Sequence, residues 1–429
     1  MSFWLRGALT VSFLLNWIYP AFADVEFAFD APAKLLENSQ IIAQRQGRFF
    51  VITLKTPHQI LSTSVVNGGQ TDSIGYLVNH QSMEARGDQL RFMQQITMNR
   101  HQYHQNIAEQ LRLPADQIAL MGTAANMQQL AQVEKQFGDL AVTVFATAGV
   151  KGNAQRAGDP TQWYQDDSGG VVVNKAVPKA LVGPKTKDLV IDNQGTINII
   201  VLINRELVAG AQTKISLLAT EAKSAALSQL VISSKSSPFL ATGTGTDQLI
   251  IASPINTDKP PLPSASGHLK LGELVGSAVR EAVLQALVWQ NGLVPSSGAN
   301  VFDALGRFGL TEKVMLDGLQ RYLSETDYML AKNNLQSFSF DSRVSAAAYA
   351  YASLLDRLQF GNLPTDIAAE ALLDQASQIA VAVAAKPSYW PKFWKALSVM
   401  PEREMDLGAQ RIDLFVAAVA QGWAAKWPD

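Results

Sequence analysis

The chain has no cysteine at all among its 429 residues. Disulfides, thiolate nucleophiles and cysteine-ligated metals are therefore excluded, and any fold must be held by core packing alone. Charge is scarce and balanced: 17% of residues are charged and the formal net charge is -2. No long basic run exists to neutralise phosphates, so nucleic acid is not an expected partner. Three common catalytic signatures are also missing: a G-x-S-x-G elbow, an H-E-x-x-H zinc pair and a Walker loop. What remains is ordinary globular material, 47% hydrophobic and long enough for roughly two or three domains.

The first residues read as a targeting segment. Arg6 is followed by an apolar stretch from Ala8 to Ile18, then Pro20 and Ala21-Phe22-Ala23. That order matches a cleaved signal peptide, with Asp24 as the mature start and the periplasm as the destination. The stretch is interrupted at Asn16 and is short for a bilayer span. No later run is read as a transmembrane helix.

Two small, polar, glycine-rich runs stand out: Thr147 to Pro160, and Thr242-Gly-Thr-Gly-Thr-Asp247. Each follows or interrupts an apolar strand-like run, the setting in which backbone amides approach a ligand. Around them the pattern alternates. Strands are expected at 48–54, 60–66, 117–122, 140–146 and 195–204, with a further strand over 239–253 broken by the Thr-Gly repeat. The apolar continuity of 195–204 implies burial on both faces. Helices are expected at 88–111, 124–137, 209–230 and 271–290. Residues 162–190 read as a loop and 259–267 as a linker, and Asn67-Gly68 suits a positive φ. From about Gly298 onward only helices are expected: 312–332, 342–359, 365–385 with Thr365 as N-cap, and 405–427, with Pro387 and Pro391 as breaks. The expected fold class is mixed α/β, a sheet-containing domain followed by an all-α module. The expected domains are a signal peptide at 1–23, an α/β domain at 24–297 and a helical module at 298–429.

Several residues could carry chemistry. Glu221 and Lys223 sit on opposite margins of a helical stripe formed by Ile215, Leu218, Ala222 and Ala226. A partly buried Glu221 could act as acid or base, and a structural ion pair is the plainer alternative. The Thr242–Asp247 run offers three hydroxyls, two glycines and a carboxylate; a bulged strand edge would use them structurally. Asn153, Arg156 and Asp159 are spaced at three, which suits either an Arg–Asp pair or a polar wall for amides and carboxylates. Of five histidines, His101 and His104 are expected to share a solvated helix face and supply too few ligands for a metal. His80 lies near a strand end with a general-base role open, and His268 begins a helix. No resident cofactor or protein-held metal is evident.

The ordered runs carry a resemblance. They are Leu61-Ser62 through Asn67-Gly68-Gly69, Asn79-His80, Met121-Gly-Thr-Ala124, Thr147-Ala-Gly-Val150 with Asn153-Ala154 and Arg156 to Pro160, Gly195-Thr-Ile-Asn-Ile199, Thr220-Glu-Ala-Lys223, Ala241 to Asp247, and Ser266-Gly-His268 with Lys270-Leu-Gly-Glu273. In this order, over about residues 48–290, they resemble the adenosylcobinamide amidohydrolase family (CbiZ type). The resemblance implies hydrolysis of the amide joining the aminopropanol arm to the corrin ring, giving adenosylcobyric acid for corrinoid salvage or remodelling. Any cobalt would arrive with the substrate.

Amide hydrolysis needs an activated water, oxyanion stabilisation and a protonated leaving amine. On the chemistry of the side chains, Glu221 or Asp247 is the expected base. Backbone N–H groups of Gly243 and Gly245, or the Thr244 hydroxyl, would hold the oxyanion, and Lys223 or His80 would stabilise charge or donate the proton. Asn67, Gly68, Gly69, Asn153, Arg156, Asp159, Asn198, Thr242, Thr244 and Thr246 are the expected substrate-binding set. The signal segment, the 162–190 loop and the C-terminal helices depart from the family pattern. An alternative is an exported corrinoid-binding or delivery protein without catalysis, its helices docking on a transport partner. An amidase acting on another exported amide is a third.

Overall fold

A computed structural model describes residues 33–82, 99–161, 163–167, 171–173, 195–399 and 407–427. The signal segment and most of the 162–190 loop lie outside the described residues. In chain order the described strands are β1 (Ala33–Glu37), β2 (Ile41–Gln46), β3 (Phe49–Leu54), β4 (His58–Ser62), β5 (Gly69–Thr71), β6 (Tyr76–Gln81), β7 (Ile118–Thr123), β8 (Ala131–Phe137), β9 (Leu140–Ala148), β10 (Ala154–Gln155), β11 (Trp163–Gln165), β12 (Val171–Val173), β13 (Ile197–Ile203), β14 (Gly243–Thr244) and β15 (Gln248–Pro254). The α-helices are α1 (Arg100–Leu111), α2 (Ala209–Gln229), α3 (Lys270–Asn291), α4 (Val301–Leu305), α5 (Glu312–Tyr322), α6 (Glu325–Asn333), α7 (Leu335–Ser339), α8 (Ser342–Gln359), α9 (Thr365–Ala384), α10 (Trp390–Ser398) and α11 (Leu407–Ala424). The class is mixed α/β followed by helices, as the sequence pattern implies.

The described residues fall into two units. The first draws on Met1–Gly149, Gln194–Ala222 and Thr246–Ala286; the second on Val150–Asn193, Lys223–Gly245 and Leu287–Asp429.

In the first unit two sheets share one core. One sheet runs β1-β2-β3-β6-β7, antiparallel except for the parallel pair β6 and β7. The other runs β5-β4-β15-β13-β9-β8, antiparallel except for the parallel pair β13 and β15. Alternation along each strand sends Phe50, Ile52, Leu77, Ala119 and Met121 of the first sheet against Ile60, Phe145, Ile200, Leu202 and Ile250 of the second. The first sheet's other face carries Val78, Ile118 and Leu120 under Tyr103, Ile107 and Ala108 of α1. Every residue of β13 is buried, so its apolar continuity is explained. Gln212 ties α2 to the second sheet, its Nε2 donating to Gln59 O at 2.9 Å and Ile251 O at 3.4 Å. Lys135 of β8 pairs with Glu281 of α3.

Two expectations in this unit are corrected and a third falls partly outside the described residues. Residues 124–137 are not a helix: Met127–Gln129 form one 3₁₀ turn and 131–137 form β8. β8 pairs with β9 from Ala131↔Ala146 to Phe137↔Leu140, and Gly138 at φ +61° starts the two-residue turn. Cross-strand pairing here overrides the helix preference of Gln, Glu and Lys. Of the helix expected over 88–111, the described part runs over Arg100–Leu111, with the Asn99 side chain accepting from the Gln102 N–H, and 88–98 lie outside the described residues. β4 begins at His58 rather than Ile60.

The second unit contains the β10–β14 ribbon, the β11–β12 pair and helices α4 to α11. The helices pack round one core that includes Leu319, Phe338, Tyr351, Ile379, Phe393, Phe415 and Trp423. α9 is long and apolar enough by composition to cross a membrane, but its stripe of Leu372, Ala376, Ile379 and Val383 is spent in this core. α11 approaches α9 closely at Gly422, where a Cβ would lie 2.5 Å from Ala380 O. The helix expected over 312–332 is two: α5 ends near Leu323, and Ser324 caps α6 by accepting from the Asp327 N–H. Thr365 is not the cap of α9; it is the first helical residue and Pro364 precedes it. α4, α7 and α10 were not expected, and Pro391 lies inside the first turn of α10 instead of breaking a helix.

Candidate functional site

In the first unit the alternation of β6 divides two neighbours between two environments. Asn79, like Leu77, faces the second sheet, and His80, like Val78, faces α1. Asn79 Nδ2 donates to Thr147 Oγ1 at 3.0 Å. Asn198 Nδ2 donates to Asn79 Oδ1 at 2.9 Å and to Gly122 O at 3.0 Å. Asn198 is fully buried at 0% exposure, and Asn79 and Thr147 are buried with it. Because the Gly122 carbonyl can only accept, the orientation of the Asn198 amide is fixed. Its Oδ1 is then buried with no hydrogen-bond partner in the structure. Such an acceptor costs roughly 1–3 kcal/mol of desolvation, so its retention calls for a reason.

On the opposite face, His80 Nδ1 lies 2.8 Å from the Tyr103 hydroxyl, and its ring stacks on Phe49 at 4.6 Å. Gly122 leaves room here, since a Cβ would come within 3.2 Å of that hydroxyl. Burial first, and the Arg48 charge second, push the His80 pKa down to about 3. Burial pushes the Tyr103 phenol up. Both side chains are neutral at neutral pH. His80 therefore cannot serve as an imidazolium proton donor there, which corrects that expectation; a neutral hydrogen-bonding role fits its surroundings.

The amino ends of β13 and β15 meet beside each other. Asp247 Oδ1 accepts the Ile197 N–H at 3.0 Å, and the Thr246 and Thr196 hydroxyls are 2.6 Å apart. Thr246 also lies within 3.3 Å of Gly195 O. Through the Ile197–Asn198 backbone, Asp247 and Thr246 belong to the same strand end as Asn198.

In the second unit the remaining parts of the two glycine-rich runs zip together. Ala154 pairs with Thr244 and Gln155 with Gly243. The Thr242 N–H donates to Gln155 O, and its hydroxyl accepts the Ala157 N–H at 2.8 Å. At Gly245 a Cβ would meet Gln155 Oε1 at 3.0 Å and Asn153 Oδ1 at 3.3 Å, so the glycine makes space for two amide side chains. Asp159 does not face the Arg156 guanidinium as an i,i+3 helical pair. Its Oδ2 accepts the Arg156 backbone N–H at 2.8 Å and the Ser234 hydroxyl at 2.5 Å, which stabilises a turn. Arg156 reaches Leu240 O at 3.3 Å and lies over the Phe239 ring.

The expected site residues thus divide. Asn198, Thr246 and Asp247 gather in the first unit, with His80 on the far face of its own sheet; Asn153, Arg156, Asp159, Thr242, Gly243, Thr244 and Gly245 gather in the second, where Lys223 is half-buried on α2. Asn67 joins neither. Its Nδ2 donates to Ala115 O and Ile118 O at the start of β7, about 13 Å along the strand from Gly122 at ~3.3 Å per residue. Gly68 and Gly69 serve the same turn: a Cβ on Gly68 would lie 1.9 Å from Ser64 O, and Gly69 has φ +86°. Glu221 is exposed, so the burial argument for it as a base fails. His104 is buried, with Nε2 2.7 Å from Ala115 O, and is not on a solvated face. Asn79, Thr147, Thr196, Tyr103 and Gly122 were not in the expected set. A lone Asn inside a buried strand is the signal that was available, because its amide must find partners. Among the described residues no group of three His, Asp or Glu is arranged to hold a metal ion.

The model of a family described as adenosylcobinamide amidohydrolase matches residues 32–295. The chain belongs to this family. An uncharacterized protein of Methanocaldococcus jannaschii, MJ1613, is 31% identical over 250 residues, covering 57% of this chain and 88% of the relative. The crystal structure of the PH0078 protein from Pyrococcus horikoshii OT3 covers 60% of this chain and 83% of its own at 9% identity, with a TM-score of 0.28, too low to bear on the fold. Every residue placed in the two clusters falls inside the adenosylcobinamide amidohydrolase match; α4 to α11 fall outside it.

Proposed function

We propose that the chain hydrolyses the aminopropanol amide of adenosylcobinamide, releasing aminopropanol and leaving adenosylcobyric acid. Family membership supplies the reaction class. The observation that carries the reading to this site is the buried, unpaired Asn198 Oδ1 beside the uncharged side chains of Asn79 and Thr147. An acceptor of this kind suits an amide N–H or a water O–H and gives no reward to a carboxylate, so it favours substrate over product. Asp247, on the same strand end, is the proposed base for the attacking water. Within the second unit, taken by itself, the neutral donors and acceptors of the β10–β14 ribbon suit the neutral amides of a corrin periphery. The periplasm is the proposed compartment, reached by cleavage after Ala23; the corrinoid would then be processed before import.

The test is incubation of the full mature protein with adenosylcobinamide, read by mass spectrometry. Loss of the aminopropanol arm with gain of a carboxylate is the expected result, abolished in Asp247→Asn and reduced in Asn198→Ala. Ligand that binds and returns intact would sink the hydrolase reading in favour of a carrier. Amino-terminal sequencing of periplasmic protein is expected to begin at Asp24, and uncleaved cytoplasmic protein would remove the export proposal.

A further inference from the structure

Within the second unit three consecutive residues ahead of the ribbon are each held from outside their own segment. Arg307, just after α4, has a side chain only 4% exposed. Its Nη1 donates to Asp356 Oδ1 of α8 at 2.5 Å and to Pro238 O at 2.8 Å, and its Nη2 donates to Asp356 Oδ2 at 2.7 Å. This two-pronged pairing fixes the guanidinium in one plane, which a lysine cannot reproduce. Phe239 stacks on Phe360, at the end of α8, with centroids 5.2 Å apart and planes 12° apart. Leu240 O accepts from Arg156 Nη1, and the Arg156 guanidinium lies 5.3 Å from the Phe239 centroid. Two residues further on, Thr242 closes onto Gln155 and Ala157, and the ribbon begins.

The apolar cluster of the helical core is built from other residues, and Arg307 joins the turn after α4 to α8 at its edge. The buried guanidinium is paired with Asp356 and also donates to a carbonyl of the segment that feeds the ribbon, while its Nε is buried without a partner, so its burial is a cost this geometry accepts. We propose that Arg307 is a positioning residue for the β10–β14 ribbon, so that helices outside the family match set how that ribbon presents itself to a corrinoid. The inference rests on the reading that the ribbon handles the corrinoid's amides. It gives the C-terminal helices a task inside their own chain.

The experiment compares full-length wild type with Arg307→Lys, and with Arg321→Lys as control. Arg321 pairs with Asp413 among the same helices through one nitrogen and with a more exposed side chain, and among the described residues it has no bond to the segment ahead of the ribbon. Three quantities are read: the adenosylcobinamide Kd from visible-absorbance titration, KM against kcat, and hydrogen exchange over 238–245. Arg307→Lys is expected to raise Kd and KM about tenfold, keep kcat within about twofold and speed exchange over 238–245. Arg321→Lys is expected to leave all three unchanged. A folded Arg307→Lys with wild-type Kd and exchange overturns the proposal, as does an equal effect of both variants, which would mark general loosening of the helices. If Arg307→Lys does not fold, Asp356→Asn is measured by the same criteria, with smaller shifts in the same direction. A wild type that binds the corrinoid without cleaving it removes the hydrolase reading, and Kd and exchange still decide this one. A wild type that does not bind it removes both.

Discussion

Replacing His80 by phenylalanine should flatten the acid limb of this protein's stability. In the fold His80 is 2% exposed, stacked on Phe49 and near the Arg48 charge, and its pKa is pushed from 6.5 to about 3. The unfolded chain has no such burial, so there the ring takes up a proton near pH 6.5. Between those values the unfolded state holds the extra proton. Stability is therefore complete above about pH 6.5 and is lost as pH falls toward about 3. Each pH unit within that window costs about 1.4 kcal/mol, which gives about 5 kcal/mol across all of it and about 3 kcal/mol by pH 4.5. His80→Phe keeps an aromatic ring against Phe49 and removes the titration. Urea unfolding from about pH 7.5 to about pH 4.5 should show the wild type losing about 3 kcal/mol more than the variant. Histidine-selective NMR gives an independent check, with no His80 ring step expected between about pH 8 and about pH 5. Parallel stability curves, or a His80 midpoint near 6, would refute the reasoning. With His80 titrating near 3, an activity limb near pH 6 belongs to a different group.

Other substitutions test the packing. Asn198→Ala strips the donors from Gly122 O and Asn79 Oδ1 but also removes the unpaired Oδ1, so a net loss of about 2 kcal/mol is expected from the urea midpoint. No loss would mean that water replaces the amide freely. Gly68→Ala drives a Cβ against the Ser64 carbonyl and should cost more than about 3 kcal/mol in thermal melts; a near-neutral variant would show that the turn is not as tight as described. Gly422→Ala should cost about 2–3 kcal/mol because Ala380 O and Val383 Cβ already fill the space. Gly276→Ala, with nothing near its added methyl in α3, should instead stabilise by about 0.5–1 kcal/mol, and equal effects at the two sites would refute the contrast.

What could be read in advance depended on local contrast. β13 is apolar at nearly every position, and a run that cannot tolerate water on either face announces a central strand. β8 gave no such signal. Gln132, Glu134 and Lys135 suit a helix, and only pairing with β9 settles the matter; the Gly138-Asp139 pair at the turn was the overlooked local sign. The helix expected over 312–332 failed for a similar reason. Ser324 followed by Glu325 and Asp327 is a cap signature, but apolar periodicity on either side obscured it.

The site shows the same division between residues legible by type and geometry legible only in three dimensions. The stripe chosen for α2 was Ile215, Leu218, Ala222 and Ala226; the buried positions are Ala211, Gln212, Ile215, Ala219, Ala222, Ala226 and Leu227, while Leu217 is 53% exposed. A helix built from Ala, Ser, Thr and Leu has little polar contrast, so its phase is poorly determined, and Glu221 was assigned to the wrong environment. Asn79 and Asn198, by contrast, advertise themselves, since an amide in a buried strand must be satisfied. Their pairing joins positions 119 residues apart on different sheets, and no spacing rule reaches that far. The orphaned Oδ1 is less visible still, because it follows from a count of partners rather than from residue identity. Asn198 has spent both donors on Asn79 and Gly122 and kept its acceptor dry. A branched apolar side chain would pack at this position without that penalty, but it would strip this donor from Asn79 Oδ1 and Gly122 O, so the amide is held at the expense of one unsatisfied oxygen.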